Sequence, residues 1–577
     1  MKVLLTTLNA KYIHSSLALR LLQKYCTSSD FEISIQEHTI NDRIENITAA
    51  IYKADADVIG FSCYIWNISM VLEIADRLKK VKPECTIIFG GPEVSYEPKE
   101  IMESYPFINY IVMGEGEDTL KELLDNLGHT EDRLDGVLGI AFREKDGIKV
   151  NAPRPLICDL DKLPSPYSEE DTTELKGRIL YYETTRGCPF NCSYCLSSTI
   201  EGVRYYSVER VKKDLLFLIQ QQVHQVKFVD RTFNCNKQRT MELFKFLVET
   251  QSSTSFHFEI AADLLDDDMI EYLATVPEGL FQLEIGVQST NLSTISAIER
   301  KMNFVKVAEN VRKLLRKDNI HLHLDLIAGL PGENYASFSK SFNDVFNLKP
   351  HVLQLGFLKL LKGSKIRQEA SKCDYKYIDV PPYEILQNNV LSYKEILKLK
   401  GLEDVLENYH NSGAFNKSLD YIINGYYNSA FEFFDELAEF FENRGLDKLS
   451  HSRKALYDIL DEFIVHKIGK NTGVFREFLK FDLVYHQKGV QLPAWASRLQ
   501  PDNFKESCFE FLKKRTNVEK FLPQFADLPA KKIIKEVDFE VFDINVLETV
   551  QEHQKSKTIV LFDYSVLDVY DVTKYFC

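Results

Sequence analysis

Short apolar runs alternate with stretches of helical periodicity from residue 3 to about 127, the pattern a parallel sheet covered by helices produces. Strands are predicted at 3–9, 32–38, 58–64, 86–92 and 110–116, with helices such as 15–26 and 67–82 between them. The helix at 67–82 sets Ile68, Val71, Leu72, Ile74, Ala75 and Leu78 along one broad face, as packing on a sheet requires. Residues 1–150 are therefore expected to form a doubly wound, Rossmann-like α/β domain. Prolines at 153, 155, 164 and 166, with no periodic apolar face, mark 151–170 as an extended linker. Six more apolar runs follow, at 179–183, 226–230, 256–262, 280–287, 321–328 and 352–360, separated by helical stretches such as 208–222, 237–250 and 305–317. They place a second α/β domain over 171–375. From 376 to 577 the chain reads as helical, with clusters such as Phe431-Glu-Phe-Phe and Phe440-Phe441 at core spacing, and runs at 537–544 and 558–564 predict a terminal β-hairpin.

Composition narrows the classes. A 577-residue chain that is 45% hydrophobic and 27% charged is a multidomain globular protein, neither disordered nor fibrous. Seventy basic against 85 acidic side chains leave a net charge of −15, which argues against a broad nucleic-acid-coating surface. The N-terminal apolar run is only three residues long before two threonines, too short for a signal peptide, and no run approaches a membrane span. Eleven cysteines, eight scattered and three crowded together, do not form a disulfide framework, so a reducing cytoplasm is the expected setting.

Open α/β sheets bind ligands at the carboxyl ends of their strands. There the chain carries Ser62, then Gly90-Gly91, then Gly114-Glu115-Gly116-Glu117. Paired glycines let a backbone approach a flat or phosphorylated ligand, and they also serve tight turns. No G-x-G-x-x-G follows the first strand, which argues against an ordinary NAD site. In the second domain, Cys188, Cys192 and Cys195 lie on a loop directly after a predicted strand. Three thiolates at that spacing can converge on one inorganic centre, and a cubane iron–sulfur cluster held by three protein ligands keeps one iron open. A tetrahedral zinc site needs a fourth ligand, and the closest histidine, His224, is far along the chain.

The string Cys188-Pro-Phe-Asn-Cys192-Ser-Tyr-Cys195, with Tyr194 before the last cysteine and Thr185-Arg-Gly ahead of the first, closely resembles the radical S-adenosylmethionine (SAM) enzymes. The resemblance implies a 4Fe-4S cluster on Cys188, Cys192 and Cys195, SAM chelated at the open iron, and its reductive cleavage to methionine and a 5′-deoxyadenosyl radical. It also implies a partial barrel of six β/α units and a reductase such as flavodoxin or ferredoxin as electron donor. Asp230, Glu259, Gln288 and Asp325, at predicted strand ends, look like the SAM-binding positions of the subgroup that includes anaerobic coproporphyrinogen oxidase, with Tyr194 beside them. Arg300 matches an arginine that pairs with the methionyl carboxylate. Solvated strand ends and surface ion pairs are the plain alternatives for these residues.

An α/β domain ahead of the barrel is similar to the arrangement in cobalamin-dependent radical SAM proteins. On that resemblance Ser62, Gly90, Gly91, Gly114, Glu115 and Gly116 surround the corrin's edge and nucleotide tail. The D-x-H-x-x-G string that supplies a histidine to cobalt is absent, and His14 lies one position off from its histidine, so His14 is a cobalt ligand or a buried or capping histidine. The C-terminal region resembles an uncharacterised extension on one branch of these proteins, and Cys577 reads as a terminal thiol. The implied activity is C-methylation of an unactivated carbon, with a small molecule, peptide or lipid precursor as substrate. Three alternatives accompany it: a methylthiotransferase with a second cluster on Cys26, Cys63 and Cys85, a non-methylating cobalamin-dependent rearrangement, and a non-enzymatic cobalamin sensor or carrier.

Overall fold

Strand β1 (Lys2–Asn9) is buried on both sides, Val3 and Leu5 facing one core and Leu4 and Leu8 another. Such burial belongs to a central strand of a parallel sheet covered twice. In the computed structural model, which describes the chain except for residues 128–130, 145–146, 470–471, 549–555 and 577, β1 pairs in parallel with β2 (Glu32–Thr39) and β3 (Val58–Ser62). Parallel strands β4 (Thr86–Gly90) and β5 (Tyr110–Val112) extend the sheet. Helices Ile44–Lys53 and Ile68–Val81 pack on the Leu4, Phe61 and Phe89 side, while Leu17–Tyr25 and Gly116–Asn126 pack on the Val3, Val58 and Ile88 side.

This is the expected doubly wound fold, with an addition. Antiparallel strands β6 (Ile140–Glu144) and β7 (Gly147–Val150) complete a seven-stranded sheet of order β2-β1-β3-β4-β5-β6-β7. Sequence periodicity misses them because each is short and carries exposed residues, β7 forming the edge of the sheet. The order reverses between β1 and β3, which puts the ligand-binding crevice at their carboxyl ends.

The second sheet begins at β8 (Ile179–Tyr182), followed by an antiparallel hairpin of β9 (Thr185–Gly187) and β10 (Val203–Tyr205). Strands β11 (Gln225–Phe228), β12 (Ser255–Ile260), β13 (Phe281–Gln288), β14 (His321–Ala328) and β15 (Val352–Phe357) complete a six-stranded sheet in the order β15-β14-β13-β12-β11-β8. Every described pairing from β8 to β14 is parallel. Burial alternates strictly along β13 and β14. Leu283, Ile285, Leu322 and Leu324 are in the core, and Phe228, Phe258 and Phe281 pack on Phe233 and Phe244 behind it. The opposite positions, among them Lys227, Glu259, Glu284, His323 and Asp325, are polar and only partly covered. A closed β/α barrel fills its interior with branched aliphatic layers; this open one carries an ionisable inner wall.

The chain forms two compact units, Met1–Pro350 with Leu355–Tyr393 and His351–Gln354 with Lys394–Cys577. The first ends in a short antiparallel pair, β16 (Lys376–Tyr377) with β17 (Ile385–Gln387). In the second, the aromatic run expected to be helical is two helices, Asn416–Tyr426 and Ala430–Arg444, with Ser429 capping the latter through the Glu432 amide. Phe431, Phe433, Phe434, Phe440 and Phe441 are buried along it. The predicted terminal hairpin is present as β18 (Val537–Phe542) and β19 (Thr558–Asp563), and β20 (Asp568–Asp571) adds a third antiparallel strand. Among the described residues no helix is long and apolar enough to cross a membrane. Cys577 lies outside the described residues.

Candidate functional site

The cysteine loop leaves the barrel at the carboxyl end of β8. Gly187 has φ +98°, and a Cβ there would fall 2.1 Å from the Gly202 carbonyl oxygen, so only glycine lets β9 lie this close to β10 before Cys188. The loop is tied down at its middle: the Ser193 amide donates to Ile298 O at 2.9 Å, and the Ile366 amide donates to Ser193 O at 2.9 Å. Each thiol has a neighbour of its own. Cys188 Sγ lies 3.6 Å from Thr232 Oγ1, Cys192 Sγ accepts from Arg300 Nη1 at 3.6 Å, and Cys195 Sγ accepts from the Ser197 amide at 3.4 Å. The three sulfurs share one short loop, yet among the described residues no three Cys, His, Asp or Glu side chains are drawn onto a single metal-sized point. As a donor set, three soft thiols fit an iron–sulfur cluster. Burial pushes the Cys192 thiol up, and the Arg300 guanidinium pulls against it.

Arg300 joins this loop to the end of β13. Besides Cys192 it donates to Tyr194 Oη at 3.3 Å and to the Gly286 carbonyl, and its buried Nε has no partner. Gln288, also at the end of β13, has φ +69° and folds back so that its Nε2 would be 2.4 Å from a Cβ on Gly286. The last inward position of β12 is Glu259, whose carboxyl is raised by burial. On β14, one inward position beyond the row of Glu259, Glu284 and His323, Asp325 Oδ1 is buried without a partner, and burial, Glu284 and Glu259 together push this carboxyl well above the usual range. A buried acceptor left unpaired costs about 1–3 kcal/mol, so Asp325 and Arg300 Nε fit a site completed by a polar ligand. Asp230 differs from these. Its oxygens accept from Thr184 N at 2.9 Å, Thr184 Oγ1 at 2.6 Å and Thr185 Oγ1 at 2.7 Å, which braces the start of the cysteine loop, and burial pushes its pKa up to about 6.

Two groups escape the sequence reading. Glu333, eight residues after Asp325, accepts from Ser289 Oγ at 2.6 Å and Ser341 Oγ at 2.8 Å while its Oε2 is buried without a partner. Lower in the barrel, Glu284 Oε2 accepts from Lys227 Nζ at 3.0 Å and lies 2.9 Å from His257 Nε2; burial opposes its ionisation, but these two neighbours hold its pKa at about 2. Burial, His321 and His257 push His323 down to about 4. Polar residues at alternate positions of an otherwise apolar strand were the available signal.

In the first sheet, the Cys63 amide donates to Gly90 O at 2.7 Å and Ser62 O accepts from Asn67 Nδ2 at 3.0 Å. Gly91 has φ +109°, and a Cβ would be 2.6 Å from Cys63 O. A Cβ on Gly114, at φ +72°, meets nothing within 4 Å, so that turn faces open space. Gly116 starts the following helix. The Glu115 carboxylate is engaged by Arg204, and Tyr64 stacks on half-exposed Trp66 at 4.4 Å. His14 is held at the barrel wall, its Nδ1 2.7 Å from Tyr181 Oη, where burial, Lys11 and Lys227 lower its pKa. Cys26 sits in one core of the sheet, and Cys63 and Cys85 in the other. These three thiols lie on opposite faces and cannot share a second cluster.

Comparison with known proteins assigns families to three stretches of the chain. Residues 3–124 match the B12 binding domain, 182–345 the Radical SAM superfamily, and 371–562 a protein family of unknown function, DUF4080. The 2-(S-pantetheinyl)-carbapenam-3-carboxylate methyltransferase of Streptantibioticus cattleyicolor is 24% identical over 73% of this chain and 67% of its own. The cobalamin-dependent radical SAM methyltransferase TokK of Streptomyces tokunonensis is 27% identical over 53% of this chain, which spans only 47% of that relative. The cobalamin-dependent S-adenosylmethionine radical enzyme OxsB, solved with aqua-cobalamin and S-adenosylmethionine bound, shares the fold at a TM-score of 0.59 and 16% identity, over 84% of this chain and 79% of its own. With these matches and the site above, the chain belongs to the cobalamin-binding radical SAM proteins that carry this C-terminal extension, and its cofactors are a 4Fe-4S cluster, SAM and cobalamin.

Proposed function

We propose that this protein is a cobalamin-dependent radical SAM methyltransferase acting on an unactivated carbon of a small-molecule substrate. The observation that carries the reading is the junction at Arg300, which brings Cys192 and Tyr194 to the end of β13, the strand beside the one bearing the unpaired Asp325 Oδ1. Cys188, Cys192 and Cys195 would hold the cluster. Arg300, with five donors in a planar fork, would take the methionyl carboxylate, while Asp325, Glu259 and Gln288 would accept from or donate to the remaining polar groups of SAM. Tyr194 keeps Arg300 in place through its hydroxyl. Asp230 acts indirectly, by pinning Thr184 and Thr185 at the root of the loop. In the first sheet the Gly90-Gly91 and Gly114-Glu115-Gly116 turns and Ser62 would offer backbone to cobalamin where side chains are absent; His14 faces the barrel wall.

When bound, these cofactors supply the radical and the methyl group, the chemistry no side chain can perform. The protein contributes alignment and exclusion of water. A flavodoxin- or ferredoxin-type reductase would supply electrons, and ten free thiols among the described residues suit a reducing cytoplasm. The separation of Cys26 from Cys63 and Cys85 counts against a methylthiotransferase.

Anaerobic reconstitution tests the reading, with electron paramagnetic resonance (EPR) spectra recorded with and without SAM. A cubane signal that SAM perturbs and that Cys188→Ala lacks is expected, together with 5′-deoxyadenosine and S-adenosylhomocysteine once a substrate is supplied. Zinc in place of iron would reject the assignment. 5′-Deoxyadenosine without S-adenosylhomocysteine would turn it toward a non-methylating rearrangement.

A further inference from the structure

The β9–β10 hairpin sets Arg186 directly opposite Arg204. Like charges at facing positions destabilise a hairpin, so the pair makes physical sense only if an anion lies between them. Glu115, from the turn after β5 in the first sheet, occupies that place. Arg204 grips it with Nη2 to Oε1 at 2.6 Å and Nη1 to Oε2 at 3.0 Å, Arg186 Nη1 lies 3.5 Å from Oε1, and the Ile157 amide donates to Oε2 at 2.9 Å. Glu117, in the first turn of the helix that follows, accepts from Arg186, which also donates to Glu183 at 2.8 Å. The Glu183 Oε1 accepts from Tyr206 Oη at 2.8 Å as well. All five charged side chains are at most 15% exposed. Burial opposes ionisation of Glu115, yet Arg204, the Ile157 amide and Arg186 hold its carboxyl below the usual range.

The network's position matters more than its strength. Arg186 is two residues before Cys188, with Gly187, packed closely against the Gly202 carbonyl, between them. Glu115 lies between Gly114 and Gly116, in the turn that opens at the carboxyl edge of the parallel sheet. One short, buried linkage therefore runs from the crevice edge of the first sheet to the first cysteine of the loop. Geometry held through several buried charge-assisted bonds is set more sharply than by apolar packing, which tolerates sliding. We propose that Glu115 and Glu117, acting through Arg186 and Arg204, are positioning residues that set the distance between the cysteine loop and the cofactor crevice of the first sheet. This rests on the proposed function, since it presumes a group at each end.

The test uses the full chain with Glu115→Gln, and with Arg204→Lys in case the first substitution prevents folding. Without cofactors, hydrogen exchange of amides 184–204 should quicken at least tenfold while amides 281–288 of β13 keep their protection. In protein reconstituted with iron and sulfide and with cobalamin, both variants should hold wild-type amounts of iron and cobalamin. The relaxation enhancement that the reduced cluster imposes on the cob(II)alamin EPR signal should fall at least twofold. Unchanged exchange in 184–204 overturns the proposal. Faster exchange with unchanged relaxation also overturns it, because the network would then be only a brace. Loss of cobalamin from Glu115→Gln, which leaves the backbone of the 114–116 turn in place, overturns it too, by making the Glu115 carboxylate itself a direct binding group. If the unsubstituted chain takes up neither iron nor cobalamin, the functional reading fails, and the exchange measurement alone decides whether the network holds the hairpin.

Discussion

The Arg300 guanidinium reaches 108 residues back along the chain to place Nη1 3.6 Å from Cys192 Sγ and 3.3 Å from Tyr194 Oη. The same side chain closes onto the Gly286 carbonyl, so one residue joins the cysteine loop to the top of β13. Lysine can keep the charge, but its single nitrogen cannot stand in both places of the planar fork, Nη1 at Cys192 and Tyr194 and Nη2 at the Gly286 carbonyl. Arg300→Lys is expected to retain the cluster and to bind SAM about 10- to 100-fold more weakly, the loss of roughly 1.5–3 kcal/mol that a charge-assisted hydrogen bond contributes. Titration of the SAM-induced change in the cluster spectrum measures it, and wild-type affinity would remove Arg300 from the site.

Asp325 separates binding from stability. Its Oδ1 is buried and unpaired, and its carboxyl is pushed well above the usual range. Replacing it with alanine removes a desolvated acceptor along with its potential ligand contact. Asp325→Ala should therefore leave the thermal midpoint of the cofactor-free protein unchanged or raised by a few degrees, while lowering SAM affinity at least tenfold. A fall in midpoint with full SAM affinity would mean that Asp325 is a structural residue.

The doubly wound sheet and the six-stranded barrel were legible because central strands of the first such as β1 and β3 are continuous apolar runs, strands of the second such as β13 and β14 alternate apolar with polar positions, and the helices keep a 3.6-residue stripe. The cysteine loop was legible because three ligand-type residues fall within eight positions. Asp230 shows where that reasoning stops: its place at a strand end was visible, but its commitment to Thr184 and Thr185 depends on loop geometry. Glu115 stopped it in the same way, since its partners Arg186 and Arg204 are brought together by a hairpin that contains only three residues in each strand. Lys227, His257, Glu284 and His323 line one wall because four separate strands align in register, and no local pattern records that alignment.

Two glycines of the first sheet make a contrast. Gly91 combines φ +109° with a Cβ site 2.6 Å from Cys63 O, whereas Gly114 has φ +72° and an empty Cβ site. Gly114→Ala bears only the left-handed backbone cost, about 1 kcal/mol. Gly91→Ala bears that cost and must also displace the backbone of the β3 turn, so about 2–4 kcal/mol is expected. Urea denaturation should show the larger shift for Gly91→Ala. Hydroxocobalamin binding should weaken with it, and equal effects of the two substitutions would contradict the close approach at Gly91.

The second unit holds a pH-sensitive group at Asp482. Asp482 is buried and accepts from Ser418 Oγ at 2.6 Å, Ser418 N at 2.8 Å and Lys417 N at 3.1 Å, yet burial outweighs these donors and raises its pKa from 3.8 to about 7. Between those values the folded state binds more protons than the unfolded state, so the unfolding free energy falls as pH rises. This contribution is fully present below about pH 4 and is lost by about pH 7, and it amounts to a few kcal/mol over that window. Asp482→Asn cannot titrate. The urea midpoint of the second unit's transition, followed from pH 4.5 to 7.5, should therefore decline less steeply in Asp482→Asn than in the wild type, with the two curves running parallel above pH 7. Identical slopes across the whole range would show that Asp482 is ionised in the folded protein and that its three donors outweigh its burial.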